Sequence, residues 1–210
     1  MTPALILNDV RRAVSDTLAP FRNSDALLLS LLNQVLKRMV QYRPDLFIVR
    51  TTLTLTAGTV DQTLPSNAFR LVTVSRVVNG NAITEVSREV FDRAVPDWPL
   101  AAAGTPQHFM RHPRDPARFL VYPKPAAATV VELEYVQIPS DYTINATIIA
   151  PNQSYFPVIV DGVVAMTEAI DAEHAASGRA QATYTRFLET LAVPLSLRTI
   201  IDNDRAGALE

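Results

Sequence analysis

The segment Pro106–Pro125, PQHFMRHPRDPARFLVYPKP, decides how this chain is read. Its pattern predicts two short strands, Gln107–His112 and Arg118–Tyr122, joined through Pro113-Arg114-Asp115-Pro116. Proline fixes φ and removes a backbone donor, so Pro113 and Pro116 force a turn between the strands. Two of the three histidines, His108 and His112, crowd into the segment with Arg111, Arg114 and Arg118. Such a cluster is either a reactive site or the polar tip of a structural hairpin. Four residues along a strand span about 13 Å, so the two histidines share a face but cannot hold one ion. Surface or hydrogen-bonded histidines are the expectation. An arginine guanidinium forks onto anions, but Asp115 sits among these arginines. A local Arg114–Asp115–Arg118 turn network is the simpler account. Phe109, Phe119 and Tyr122 are expected in a core rather than stacked on bases. The hairpin is therefore read as rigid, with Arg111, Arg114, Asp115 and Arg118 as a docking surface.

The same strand signal extends on both sides of the hairpin. LFIVRTTLTLTA alternates from Val49 onward, with Thr51, Leu53 and Leu55 interleaved with polar positions. Gly58 breaks it, and Val60–Leu64 returns. Phe69–Val78 is a second β-branched run, and Asn79-Gly80-Asn81 is a hairpin turn leading to Ala82–Val86. Ser87 is placed to cap a short helix, SREVFDRAVPDW, closed by Trp98-Pro99 and followed by a flexible AAAG joint. TVVELEYVQI, 129–138, alternates Val131, Leu133 and Tyr135 against Glu132 and Glu134, and Thr143–Ile149 is expected to add one more short strand.

Both ends read as helical. Asn8 or Asp9 is expected to cap a helix carrying Val10, Val14 and Leu18, ended by Pro20. Ser24 or Asn23 caps a second helix, with Asp25 suiting the dipole of its first turn. Its apolar arc, from Leu27 through Val40, is wider than one core face requires. Lys37, Arg38 and Arg43 sit near its end, where cations suit the carbonyl pole, and Pro44 stops it. Phe156, Ile159, Val160, Val163, Thr167 and Ile170 mark another helix. Gly178 breaks the pattern, and Tyr184, Phe187, Leu188 and Leu191 mark a last one. The expected class is α+β: a helical bundle from the two ends (1–45 and 151–193), an inserted antiparallel β-rich domain (46–150) and a C-terminal arm (194–210).

Composition narrows the chemistry. The chain has 210 residues, 48% apolar and 19% charged, with 19 basic and 21 acidic residues and a net charge of −2. Bulk charge therefore does not recruit nucleic acid. The absence of cysteine removes disulfides and thiolate metal sites. MTPALILNDVRR lacks the pattern of a signal peptide, and no run approaches the ~20 apolar residues of a membrane span. The six glycines are too scattered for a dinucleotide or phosphate loop, and no serine elbow is present. Asp171-x-x-His174 has a metal-binding spacing but no second copy. Glu132, Glu134, Glu168, Asp171 and Glu173 read as solvated faces. No catalytic residue, cofactor or metal is expected.

The order of segments resembles the tail adaptor, or head-to-tail connector, proteins of short-tailed bacteriophages. The likeness rests on the apolar helix ending in Tyr42-Arg43-Pro44-Asp45-Leu46, then TTLTLTAGTVDQTLP and the Asn-Gly turn. It continues through SREVFDRAVPDW, HFMRHPRDPARFLVYPKP, VELEYVQIP and the helical DAEHAASGRAQATYTRFLETL. The resemblance implies a structural virion protein without catalytic residues. It implies a dodecameric ring under the portal protein, a platform for tail nozzle or fibre proteins, and non-specific passage of DNA through the lumen. It places the chain in the virion, and in the host cytoplasm during assembly. In the arm, Leu195, Leu197, Arg198, Ile200 and Ile201 are expected to dock on the portal or a neighbour, or else to pack on their own subunit. The alternative reading is a β-rich ligand- or carbohydrate-binding module, with Trp98, Tyr122 and Tyr135 as an exposed platform.

Overall fold

Proline at a first helical position opens the fold. In the computed structural model, which describes residues 1–170 and 178–192, helix α1 runs Pro3–Ala13 from an extended Thr2. Pro3 loses nothing there, because that turn's N–H groups have no intrahelical partner. Ile6, Leu7 and Val10 form the buried stripe. The expected start at Asn8 or Asp9 is therefore too late, and the expected end at Pro20 too far. The helix stops at Ala13, Ser15 takes a left-handed φ of 58°, and Leu18 is exposed. What turns the chain is Asp16, which is buried. It accepts N–H bonds from Arg22 (2.8 Å) and Asn23 (2.9 Å) and pairs with Arg11 at 3.1 Å.

Helix α2, Asp25–Tyr42, begins as its sequence requires: Ser24 Oγ accepts the Leu27 N–H at 3.2 Å. Its wide arc is buried through Leu28, Leu31, Leu32, Val35, Leu36, Met39 and Val40. Helix α4, Phe156–Ile170, packs on α1 and α2, and a last helix, α5, spans 179–192. Arg43 does not merely face the carbonyl pole of α2. It is buried, and forks onto Asp45 with Nε to Oδ1 at 2.9 Å and Nη2 to Oδ2 at 2.8 Å. Its Nη1 donates to the Leu191 carbonyl at 2.9 Å, joining the end of α2 to α5. Glu168 is not on a solvated face either. It is buried, meets Arg179 at 2.6 Å and accepts from Thr183 Oγ1 at 2.9 Å.

Gly162 on α4 sets the distance between helices. A Cβ there would stand 2.8 Å from Val35 Cγ1 and 3.0 Å from the Phe187 ring. Gly162→Ala is therefore expected to destabilise the helical unit by about 1–3 kcal/mol through overpacking. Denaturant unfolding followed by helix ellipticity measures it, and an unchanged midpoint would refute the close approach.

The segment after Pro139 belongs with these helices, in a unit made of Met1–Leu46 and the described residues from Pro139 on. Thr143–Ile149 is not the expected strand. Among the described residues no strand pairs with it, and it and its neighbour Tyr142 bond elsewhere. Asn33 clamps Tyr142 from both sides, accepting its N–H at 2.9 Å and donating to its carbonyl at 3.2 Å. The Ile148 N–H donates to the Met1 carbonyl at 2.9 Å.

The second unit, Phe47–Ile138, is inserted in the sequence of the first. Its seven strands are β1 Ile48–Leu55, β2 Asp61–Thr63, β3 Ala68–Val77, β4 Thr84–Glu85, β5 His108–Arg111, β6 Arg118–Tyr122 and β7 Thr129–Gln137. They form a three-stranded sheet, β1-β7-β3, and a four-stranded sheet, β2-β6-β5-β4. Period-2 patterning explains the core: Val131, Leu133 and Tyr135 of β7 are buried, as expected, against Phe109, Phe119 and Val121 of the hairpin. Asn79, at φ 56°, turns the chain after β3, and Ile83 N–H bonds back to Ser75 O at 3.0 Å. The hairpin then opens, because β4 leaves for the other sheet and pairs with β5. That pairing is parallel, the one departure from an antiparallel domain among the described strands. Helix α3, Arg88–Ala94, follows, although Ser87 makes no side-chain capping bond. The class is α+β.

Candidate functional site

The β5–β6 hairpin forms as its alternation predicts, with His108 opposite Tyr122 and Arg111 opposite Phe119. Its tip is braced by side chains as well as by prolines. His112 Nδ1 accepts the N–H groups of Arg114 at 3.3 Å and Asp115 at 3.0 Å. Asp115 Oδ1 accepts the Ala117 N–H at 2.9 Å. The tip backbone is tied outward too: Leu71 N–H donates to Pro116 O at 3.0 Å, and Leu64 N–H to Ala117 O at 2.9 Å.

The expected Arg114–Asp115–Arg118 network does not form, because Asp115 turns back onto its own loop. Arg118 instead forks onto Asp61 of β2, with Nε to Oδ1 at 3.2 Å and Nη2 to Oδ2. Arg111 reaches Glu85 of β4 at 2.6 Å and donates to the carbonyls of Leu71 (2.9 Å) and Val72 (2.7 Å). These arms draw a groove of about 230 Å³ around the tip, lined by Arg70, Arg111, His112, Arg114, Arg118 and Leu71. Arg111 and Arg118 meet acidic partners. Among the described residues, none pairs with Arg70 or Arg114, and both are exposed.

Arg70 was not visible as a site residue from sequence. The only local signal is its outward position in the β3 run; what brings it to the hairpin is pairing between distant strands. Arg118 and Asp61 are likewise 57 residues apart.

The histidines part company. His112 sits in the turn, while His108 lies at the base of the hairpin with its ring 5.8 Å from Phe91. Among the described residues no group of three His, Asp or Glu is placed to hold a metal ion. Asp171, Glu173 and His174 lie outside the described residues, as do Leu195, Leu197, Arg198, Ile200 and Ile201.

The aromatic platform of the alternative reading is not exposed. Trp98 is buried on the outer face of the second sheet and donates from Nε1 to Asp92 at 2.7 Å. Tyr122 packs edge-on to Phe91 with centroids 4.9 Å apart. Tyr135 is buried in the core between the sheets. Trp98 and Tyr122 hold α3 against the sheet through Phe91, so Trp98, Tyr122 and Tyr135 do not form an exposed platform.

The polar features thus lie in structural bracing and in one basic groove. The family model for the SU10 adaptor protein matches residues 1–207. The chain belongs to the SU10 adaptor protein family. This is a phage head–tail adaptor family, in agreement with the resemblance read from segment order. A member of this family is a structural phage component that interacts with other virion proteins. No curated protein matches the chain. In this adaptor-family chain no described helix is long and apolar enough to cross a membrane.

Proposed function

We propose that this chain is the ring-forming adaptor that joins the portal to the tail and lines the channel through which DNA leaves the capsid. The family match over nearly the whole chain carries the reading. Two further features support it. The net charge of −2 suits a channel that lets DNA pass without gripping it. Exposed apolar side chains on the helical unit, Leu5, Leu18, Phe21 and Ile149 among them, suit burial between subunits. In this reading, Met1–Leu46 and the described residues from Pro139 on supply the bundle, Phe47–Ile138 the β-rich domain, and 194–210 an arm whose Leu195, Leu197, Arg198, Ile200 and Ile201 hold the portal or a neighbouring copy.

Light scattering with electron microscopy tests this. The free protein is expected to be monomeric and to form a closed ring on purified portal. Truncation after Leu195 is expected to weaken that assembly while leaving the monomer folded. A stable dimer that ignores portal would refute the ring. Undiminished assembly of the truncated chain would refute the arm.

A further inference from the structure

We infer that the groove at the tip of the β5–β6 hairpin is a receptor for carboxylates on an acidic segment of a protein partner, with Arg70 and Arg114 as the groups that grip it. The groove gathers four guanidiniums, from Arg70, Arg111, Arg114 and Arg118. The fold supplies three carboxylates around them: Glu85 on Arg111, Asp61 on Arg118, and Asp115 in the turn. One net positive charge remains, and it resides with the two arginines that have no acidic partner among the described residues. Their forks are open, and a fork matches a carboxylate with two parallel bonds.

The scaffold under these arginines is fixed before anything binds. Arg111 is held by two backbone carbonyls, and the turn by His112 Nδ1, Asp115 and the bonds to Leu64 and Leu71. Little ordering is left for a ligand to impose on the turn, which favours specific capture by a small contact. His112 Nδ1, which accepts two N–H bonds, is thus taken up by the turn.

Size and charge select the ligand class. A space of about 230 Å³ takes one or two side chains. Binding a DNA backbone draws its strength from several neutralised phosphates in a row. One uncompensated charge beside the two braced arginines is poor for that and adequate for an Asp or Glu side chain. Leu71 offers an apolar wall for the methylenes beside the carboxylate.

The identity of the partner as a neighbouring virion protein rests on the adaptor reading; the groove's preference for carboxylates does not. Fluorescence anisotropy with the full chain tests the preference, using labelled hexaglutamate, a hexaserine peptide and a duplex DNA oligonucleotide as probes. Hexaglutamate is expected to bind most tightly. Its affinity should fall roughly tenfold or more in Arg70→Glu/Arg114→Glu, and also fall in the milder Arg70→Gln/Arg114→Gln, because charge-assisted bonds are lost. Arg76→Glu, on the same strand but outside the groove, should leave it unchanged. Equal hexaglutamate binding by the wild type and both double variants would overturn the inference, and so would tighter binding of DNA that the same variants abolish. Ring formation on portal is read separately. A ring without hexaglutamate binding would sink the groove alone, and hexaglutamate binding without a ring would sink the adaptor reading alone.

Discussion

Arg43→Ala is expected to cost the helical unit about 3–5 kcal/mol, lowering its melting temperature by on the order of 10 °C. The side chain is buried at the C-terminus of α2, where it does three things at once. It neutralises Asp45 through a two-bond fork, satisfies the Leu191 carbonyl near the end of α5, and lies 5.9 Å from the Tyr155 ring. The bond with Asp45 is the main reason its guanidinium is held charged more firmly than usual, against the opposing effect of burial. Alanine takes the Arg43 donor away from both the Asp45 carboxylate and the Leu191 carbonyl, and removing one member of such an arrangement is dearer than the absence of the pair itself. Lysine has the charge but no fork, so Arg43→Lys should recover only part of the loss. Thermal unfolding by circular dichroism decides it. A melting point within a degree of wild type would show that Arg43 is not what joins these helices.

Asp16→Asn is the second large effect, about 3 kcal/mol. Asp16 shapes the whole connection between α1 and α2, and the amide keeps its shape but not its charge. Burial pushes its carboxyl up, but the N–H groups of Asn23 and Arg22, the Asn23 side chain and the Arg11 guanidinium together outweigh that and hold it below its ordinary 3.8. A carboxyl depressed in the folded state adds stability above its unfolded value and loses it as pH falls through the folded value. The contribution is thus complete near neutrality, starts to fall at about pH 4 and is lost as pH drops through the lower, folded value. The loss in Asp16→Asn is set at the lower end for a buried pair because Arg11 keeps Asp25, at 2.6 Å. Urea unfolding at pH 7 and at pH 3 should show a wider gap between wild type and variant at the first than at the second. An equal gap at both would mean that the charge of Asp16 is irrelevant.

Both residues show where local reading stops. Ser24, the α2 stripe, the alternation of β7 and the proline-framed hairpin are encoded within a few neighbouring residues, and each forms where its pattern lies. Arg43 and Leu191 are 148 residues apart, so nothing nearby tells a buried staple from a cation at a helix end. Thr143–Ile149 carries strand-like residues, but a strand needs a neighbour to pair with, and Asn33 claims the backbone of Tyr142 first. The hairpin tip was legible as charged and rigid. Its partners were not, since Asp61, Glu85 and Arg70 reach it only through strand order. The aromatics were legible as large and apolar, yet their exposure depended on α3 folding over them.

One consequence of the strand order concerns the insertion itself. The first and last strands of the β unit, β1 and β7, are direct antiparallel neighbours, with Ile48 registered on Val136. The chain thus enters and leaves this unit side by side, at the spacing of paired strands, about 5 Å. For the helices, everything from Phe47 to Ile138 is equivalent to a short, pinned connection. Loops on the β unit can lengthen, shorten or be exchanged between relatives without altering the span that the helical chain has to bridge. Such a unit is free to diversify in what it contacts while the helices that frame it stay constrained.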